Sequence, residues 1–294
     1  MQRDVSFKTR DRVELRGWFF TPDSNKSRHP CVVMTHGLTV QIEHGLAKFA
    51  EHLAESGFAV LTYDHRGWGR SDGEPRHESD PFRQMHDTRD AITYVTTLPE
   101  VDPERIGLWG TSYSGGTALM VAAVDRRVGC VVAVGPLISG SAMATRHIAS
   151  ADWHLYRAQF EDARRRELAE EKIQYRVHTA VQETINWYKD VDLEGTWKNE
   201  ISVISHDMMM EFEPGDYVSR ISPTPLLMVV ADQDTRCLTD LQLGAYNRAR
   251  EPKHIVLIQG GHYDAYVRHL ATVNKATCDW FTEHLAKQLD PVVI

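Results

Sequence analysis

Cysteine is scarce in this chain, and its positions do not suggest a disulfide framework. The four cysteines are scattered without a CxxC pair, at Cys31, Cys130, Cys237 and Cys278. Two of them, Cys31 and Cys130, lie in apolar runs typical of strands, where a buried free thiol behaves as a small hydrophobic residue. This usage predicts a reducing compartment rather than a disulfide-stabilised extracellular protein.

Long apolar runs and an excess of basic residues are also missing. No segment approaches the roughly 18 consecutive apolar residues of a membrane span, and the opening Met-Gln-Arg-Asp-Val-Ser lacks the apolar core of a signal peptide. We therefore expect a cytoplasmic protein without a membrane partner. The 41 acidic residues outnumber the 33 Lys and Arg residues, for a formal net charge of −8. Nucleic-acid binding needs clustered Lys and Arg, so nucleic acid is not an expected partner.

The sequence contains no familiar metal or nucleotide motif. It has no HExxH or comparable spacing of metal ligands, and the Gly-rich residues 63–76 match neither GxxxxGK[ST] nor GxGxxG. That segment resembles a phosphate-binding loop only superficially. The sequence therefore predicts neither a metal nor another cofactor.

What the chain does contain is an alternation of short apolar segments and segments with helical periodicity. The predicted strands are residues 5–7, 13–20, 31–34, 59–62, 106–110, 128–134, 226–231 and 254–258. Helices are predicted between most of them, and a last helix at residues 263–288. Strands that are apolar on both faces and alternate with helices indicate the α/β class, with a mostly parallel sheet covered by helices on both faces.

Residues 136–222 interrupt this alternation. They are rich in helix formers and contain no recognisable strand, and the sheet pattern resumes at residue 223. This order predicts an α/β core formed by residues 1–135 and 223–294, with residues 136–222 inserted as a helical cap. Two independent domains would fit the sequence less well, because the sheet pattern flanks the insertion.

A predicted strand runs directly into a predicted helix through residues 110–114, Gly-Thr-Ser-Tyr-Ser. A serine at such a turn is held in a strained conformation that keeps its hydroxyl clear of the sheet, and the turn requires small residues two positions before and after it. Ser112 meets these conditions. The alternatives are a Gly/Ser-rich turn without chemistry and attack by Ser114, which Ser112 and Gly116 flank at the same spacing. We predict Ser112 as nucleophile, because Ser114 would lie inside the helix.

A serine hydroxyl needs an imidazole that accepts its proton, and a carboxylate that orients this imidazole. His262 follows two glycines after the last predicted strand, downstream of Ser112 as the chain order Ser, Asp, His requires. Asp232 and Asp234 both follow the strand predicted at residues 226–231. We predict His262 as base and Asp234 as acid, because Asp234 lies deeper in its loop, whereas Asp232 is expected to cap the turn.

The tetrahedral intermediate of acyl transfer needs backbone N–H groups that point at its oxyanion. By position, these are expected from Tyr113, the residue after the nucleophile, and from Leu38, in the loop after the strand at residues 31–34. Gly37 would let this loop approach closely. His36 is expected to hold the loop in shape rather than to act in catalysis.

Taken together, these segments form a known pattern. The chain resembles the α/β-hydrolase superfamily over nearly its whole length, in His36-Gly37, residues 64–71, residues 110–116, Asp234 and Gly261-His262. It is similar to the polyketide thiohydrolases and polyketide transferases of fungal biosynthetic clusters in residues 71–76, 98–107, 223–232 and 260–266, although that group often has a different residue at position 36. The resemblance implies release of a polyketide chain from a synthase, or its transfer to another acceptor.

The sequence thus predicts a serine hydrolase, an esterase or thioesterase that cleaves an ester or thioester of a hydrophobic acyl group through an acyl-enzyme. The expected partner is a small-molecule acyl substrate, free or attached to a carrier protein or synthase. An acyltransferase that uses an alcohol or amine in place of water is the alternative. A non-catalytic binding protein of the same fold is a third hypothesis, which an intact Ser, Asp and His argues against.

Aromatic and Met residues of the predicted cap are candidates for the acyl pocket. We predict substrate contacts for Trp153, Tyr156, Trp187 and Met209, since flexible Met side chains suit an elongated apolar chain. Ordinary packing between cap helices would explain each of these residues equally well.

Overall fold

The computed structural model, which describes residues 1–286, contains one sheet of eight strands and a small sheet of two. The strands are β1 (Gln2–Lys8), β2 (Glu14–Phe20), β3 (His29–Thr35), β4 (Ala59–Tyr63), β5 (Val101–Thr111), β6 (Val128–Val134), β7 (Tyr175–Val177), β8 (Glu200–Ser202), β9 (Leu226–Ala231) and β10 (Lys253–Ile258). The large sheet has the order β1-β2-β4-β3-β5-β6-β9-β10. Strand β2 runs antiparallel to β1 and β4, and the other neighbouring pairs are parallel. The predicted mostly parallel α/β sheet is confirmed.

Helices cover both faces of this sheet, also as predicted. They are α1 (Leu46–Glu55), α2 (Pro81–Thr96), α3 (Tyr113–Val124), α4 (Gly140–His147), α5 (Trp153–Leu168), α6 (Gln182–Val191), α7 (Val203–Met210), α8 (Thr239–Arg248) and α9 (Leu270–Phe281). Side chains along a strand alternate between the faces. Val33 of β3 belongs to the core formed with α2, α3 and α8, and Val32 to the core formed with α1 and α9. Within residues 1–286, no helix is long and apolar enough to cross a membrane.

The segment of the last predicted helix is divided into three helical parts. A 3₁₀ turn at His262–Ala265 precedes α9, and a π-helical turn at Thr282–Ala286 follows it. The N–H of His269 donates to the carbonyl of Asp264 at 2.7 Å, which closes the first turn before α9 begins. Residues 287 and 288 of the predicted helix lie outside the described residues.

Residues 136–222, which we call the insert, lie between β6 and β9 and contain α4 to α7. The expectation that they contain no strand is wrong, because β7 and β8 pair antiparallel. Each of these strands has only three residues, and Tyr175 and Val177 of β7 are exposed. Strands of three residues are too short to leave an apolar run that the sequence could reveal.

A buried ion pair fastens the loop after β4 to α2. The guanidinium of Arg66 donates to both carboxylate oxygens of Asp87, at 2.6 Å from Nε and 2.5 Å from Nη2. It also donates to Asp11 at 2.8 and 3.0 Å. Asp87 is fully buried, so its charge depends on this bidentate partner.

Candidate active site

Ser112 occupies the sharp turn between β5 and α3. Its φ of 55° and ψ of −122° lie in a region that residues other than glycine rarely adopt. Hydrogen bonds hold the turn: the Ser112 N–H donates to the carbonyl of Val134 at 2.9 Å, and its carbonyl accepts from Leu137 at 2.8 Å. The surrounding backbone therefore holds Ser112 in its strained conformation, as expected for a serine kept clear of a sheet.

Gly110 leaves the space that this turn needs. A Cβ atom here would lie 2.1 Å from the backbone oxygen of Ser114, which cannot move aside cheaply. We expect Gly110→Ala to lower the free energy of unfolding by about 1–3 kcal/mol through overpacking. Gly244→Ala in α8 is the matched control: its Cβ would lie 3.7 Å from Arg248, and it should be neutral or stabilising. Thermal denaturation measures both, and equal melting temperatures would contradict the prediction.

Ser114, the alternative nucleophile, lies inside α3 and is fully buried. Its Oγ is 2.8 Å from Nε2 of His65. Burial holds the pKa of His65 well below its ordinary value, so this imidazole is neutral near pH 7. The core encloses this pair, whereas Ser112 lines a cleft.

His262 connects Ser112 with Asp234. Its Nε2 lies 3.0 Å from Ser112 Oγ, and its Nδ1 lies 2.8 Å from Asp234 Oδ2. These contacts fit an imidazole whose Nδ1–H donates to the carboxylate while Nε2 accepts the serine hydroxyl. Asp232 instead accepts the N–H of Gly260, in the loop after β10, at 2.8 Å, so it links two loops rather than capping its own turn as expected. The structure thus brings together the three residues chosen from the sequence.

Asp234 is buried in the loop after β9, among hydrogen-bond donors. Its Oδ1 accepts the N–H groups of Arg236 at 2.8 Å and Cys237 at 2.9 Å, and its Oδ2 accepts from Gln242 at 3.0 Å. Burial raises the pKa of Asp234, but His262 and the backbone donors outweigh this effect and lower the pKa to about 2. The carboxylate is therefore ionised near pH 7 and can stabilise an imidazolium.

Residues 36–39, which we call the β3 loop, rest on the loop after β4. His36 Nε2 accepts the N–H of His65 at 3.0 Å, and its Nδ1–H donates to the carbonyl of Gly37 at 2.9 Å. His36 therefore makes the structural hydrogen bonds that the sequence suggests. The Gly-rich residues 63–76 thus have a role that the sequence did not predict: His65 in this segment holds His36 of the β3 loop.

Tyr188 of α6 ties the insert to the same loop. Its hydroxyl donates to the carbonyl of Leu38 at 2.9 Å and lies 2.6 Å from Oγ1 of Thr39. Trp197 stacks on its ring, with centroids 4.0 Å apart and an angle of 9° between the planes. The position of α6 is thereby coupled to the shape of the β3 loop.

The two predicted oxyanion donors, Leu38 and Tyr113, both line the cleft with Ser112. Tyr113 is the first residue of α3, so its N–H has no acceptor within the helix. A Cβ atom on Gly37 would lie 3.4 Å from Cβ of Ser112, which shows how closely the β3 loop approaches the serine. Leu38 and Tyr113 thus line the same cleft as Ser112, and the role of their N–H groups as oxyanion donors stays a prediction.

Both the core and the insert line the cleft over Ser112. Its walls are mainly aliphatic and aromatic. Of the predicted pocket residues, Trp187 and Met209 lie in these walls, so the cleft can hold an apolar chain next to Ser112.

Trp153 and Tyr156 do not line this cleft, which corrects their predicted place. Helix α5 packs its apolar face against α7, where Phe160 is buried. The ring of Tyr156 lies partly buried at this contact, under the guanidinium of Arg176 at 4.9 Å. Helical periodicity indicates which residues share a face of α5, but not which neighbour that face meets.

Cys237 is a neighbour of Ser112 that sequence reasoning missed. Its Sγ lies 3.7 Å from Ser112 Oγ, and burial raises the pKa of the thiol well above its ordinary value. Asp234, Cys237 and His262 present ligand-type atoms within 4.8 Å of one another. Because Asp234 and His262 already bond to each other, a metal bound here would disrupt their contact.

Comparison with known proteins identifies the family of this chain. The family model for X-Pro dipeptidyl-peptidase (S15 family) matches residues 11–264. The polyketide transferase grgF of Penicillium sp. is 31% identical over 96% of this chain and 97% of its own length. The thiohydrolase aneE of Aspergillus aculeatus is 28% identical over 86% of this chain and 83% of its own.

A solved structure shows the same fold. The crystal structure of the α/β hydrolase GrgF from Penicillium sp. sh18 matches with a TM-score of 0.87 and 29% identity, over 98% of this chain and 100% of that chain. The family expected from the sequence is confirmed. This chain is a hydrolytic enzyme that belongs to the α/β-hydrolase superfamily, in the family that the S15 model describes and beside the fungal polyketide transferases and thiohydrolases.

Proposed function

We propose that this enzyme cleaves an ester or thioester of a hydrophobic acyl group, with Ser112 as nucleophile, His262 as base and Asp234 as the acid that orients it. One observation carries the proposal: the hydrogen-bonded series from Ser112 Oγ through both nitrogens of His262 to Asp234, at 3.0 and 2.8 Å. An imidazole held in this way can take the proton of a hydroxyl that is otherwise a poor nucleophile.

In the first step, Ser112 Oγ attacks the acyl carbonyl carbon while its proton passes to Nε2 of His262. The N–H groups of Leu38 and Tyr113 stabilise the resulting oxyanion. The bond to the alcohol or thiol then breaks, the leaving group takes the proton from His262, and an acyl-enzyme remains. Water, deprotonated by His262, attacks the acyl-enzyme and releases the carboxylic acid and Ser112.

The insert would act as the cap that supplies the acyl pocket. Trp187 and Met209 lie in the cleft walls, where apolar contacts favour a hydrophobic acyl chain. The names of the relatives, polyketide transferase and thiohydrolase, support a polyketide acyl group, carried by a small thiol or by a synthase. We therefore favour thioesters over simple esters as substrates.

Acyl transfer is the second candidate, because the relative grgF is named a polyketide transferase. The chemistry is identical up to the acyl-enzyme, and only the final acceptor differs. Incubation of the enzyme with an acyl thioester and increasing concentrations of an alcohol or amine separates the two by the ratio of acid to transfer product.

A serine-directed phosphonate probe tests the proposed nucleophile. We expect intact-mass analysis to show one adduct on the wild type and on Ser114→Ala, and none on Ser112→Ala, because Ser112 and not Ser114 forms the hydrogen bond to His262. Acyl esters and thioesters are then assayed with the same proteins. Labelling of Ser112→Ala would move the nucleophile elsewhere, and a wild type that neither reacts nor hydrolyses any acyl substrate would reject catalysis.

A further inference from the structure

The charged side chains that line the cleft differ in sign from the net charge of the chain. The sequence has 41 acidic and 33 basic residues. Among the described residues that line the cleft, however, there is no Asp or Glu, while Lys48 and Arg236 both lie there. A cleft with cationic and without anionic side chains attracts negative charge.

Of the two cations, Arg236 lies closer to the catalytic candidates in the chain. It lies in the loop after β9, partly buried, one residue before Cys237. Its backbone N–H donates to Asp234, but within residues 1–286 its guanidinium has neither a hydrogen-bond acceptor nor a carboxylate partner. A guanidinium offers five N–H donors in a planar fork, so these donors are available to a ligand in the cleft.

Two further donors without partners line the same cleft from the insert. Nδ1 of His178 and Nε1 of Trp187 are buried and make no hydrogen bond. Trp187 stacks on Tyr263, with ring centroids 5.1 Å apart. The positive charge of Arg236 acts to lower the pKa of both His178 and Tyr263. Burial, followed by the charges of His206 and Arg236, lowers the pKa of His178 to about 3. His178 is therefore neutral near pH 7 and can donate one N–H.

We propose that Arg236, His178 and Trp187 form a subsite that binds an anionic oxygen group of the substrate. Buried polar groups without partners are costly, and a carboxylate or phosphate in the cleft would accept from the buried N–H groups of His178 and Trp187 and pair with the partly exposed guanidinium of Arg236. Guanidinium groups bind such oxyanions through paired, charge-assisted hydrogen bonds. This inference rests on the proposed function, because it assigns the recognised group to the substrate that Ser112 attacks.

The anion has two sources, a carboxylate on the acyl chain and the phosphate of a phosphopantetheine thioester. For the first, kcat/KM is measured for a series of ω-carboxyacyl thioesters of N-acetylcysteamine and for the matching ω-carboxamides. We expect the wild type to prefer the carboxylates. Arg236→Met should reduce the ratio of the two values about 10- to 100-fold, as expected for loss of hydrogen bonds to a charged group.

For the second source, one neutral acyl group is compared on phosphopantetheine and on N-acetylcysteamine. A ratio that falls in Arg236→Met for this pair alone assigns the anion to the phosphate. Arg236→Lys, which keeps the charge but loses the fork, should give an intermediate ratio. Arg165→Met replaces an arginine whose side chain is 70% exposed and should leave both ratios unchanged.

Binding to Ser112→Ala separates this inference from the proposed function. Calorimetric titration of that variant with an α,ω-dicarboxylic acid should show binding, and the further change Arg236→Met should remove it. If the wild type hydrolyses acyl thioesters but Arg236→Met alters neither ratio, the subsite is overturned and the proposed function stands. If the wild type is inert while dicarboxylate binding still depends on Arg236, the proposed function fails and the subsite stands.

Discussion

Ser112→Ala should lower kcat for an acyl thioester at least about 10⁴-fold, and adding His262→Ala should cost almost nothing more. The reason is that the 3.0 Å contact between Ser112 Oγ and His262 Nε2 makes one functional unit. Without the hydroxyl, the imidazole has no proton to accept. Without the imidazole, the hydroxyl stays a poor nucleophile. Steady-state kinetics of both single variants and of the double variant measure this non-additivity.

Ser114→Ala provides the matched control for this prediction. It removes the second hydroxyl of the same turn, which contacts His65 at 2.8 Å rather than His262. Its loss of kcat should be far smaller than that of Ser112→Ala. Losses that multiply in the double variant would show instead that Ser112 and His262 act independently, and the proposed mechanism would have to be abandoned.

Arg66→Met should lower the free energy of unfolding by about 3–5 kcal/mol, the usual cost of leaving a buried charge without its partner. Arg66 donates two hydrogen bonds to Asp87, which is fully buried. The other partner, Asp11, is exposed over 56% of its side chain and can return to water at little cost. Urea denaturation of the wild type and the variant measures the change.

The double variant Arg66→Met/Asp87→Leu tests the cause, because it removes the carboxylate that has lost its partner and should recover much of the stability.

The pH dependence of the stability gives a second test. Burial already raises the pKa of Asp87 from 3.8 to about 6, so its ionisation costs stability as the pH rises through this range. Without Arg66 the pKa of Asp87 should rise further. The loss in free energy of unfolding caused by Arg66→Met should therefore be larger at pH 8 than at pH 5. Lys275→Met, which breaks an exposed pair with Asp279, should change stability little. A similar small change in Arg66→Met would reject the argument.

The sequence predicts those parts of the candidate site that depend on local patterns. A strand that enters a helix through Gly110 and Ser114 leaves Ser112 few conformations, and the structure contains this turn. His262 and Asp234 can be chosen in the same way, because each follows the carboxyl end of a strand in a parallel sheet, where loops meet at one edge. For these residues, position in the chain is enough to predict position in space.

The remaining features depend on contacts between distant segments, which local patterns do not record. One example is the hydrogen bond between His36 and His65, which lie in the loops after the neighbouring strands β3 and β4. The predicted pocket residues show the same limit. Trp187 lines the cleft and Tyr156 does not, although both are aromatic residues on helices of the insert, because the packing of each helix decides which face meets the cleft.

The anchoring of the β3 loop by Tyr188 has a consequence for how this enzyme can diversify. Helix α6 carries Tyr188, which bonds to Leu38 and Thr39, and it also carries Trp187 in the cleft wall. Because Leu38 is a proposed oxyanion donor, an exchange of this helix would replace a cleft wall and the anchor of the proposed oxyanion loop at once. We therefore expect recombination between relatives to preserve the β3 loop best when the incoming segment carries a tyrosine at position 188, with a stacking partner equivalent to Trp197. Point substitution at Trp187, which leaves the anchor in place, is the easier route to a new acyl preference.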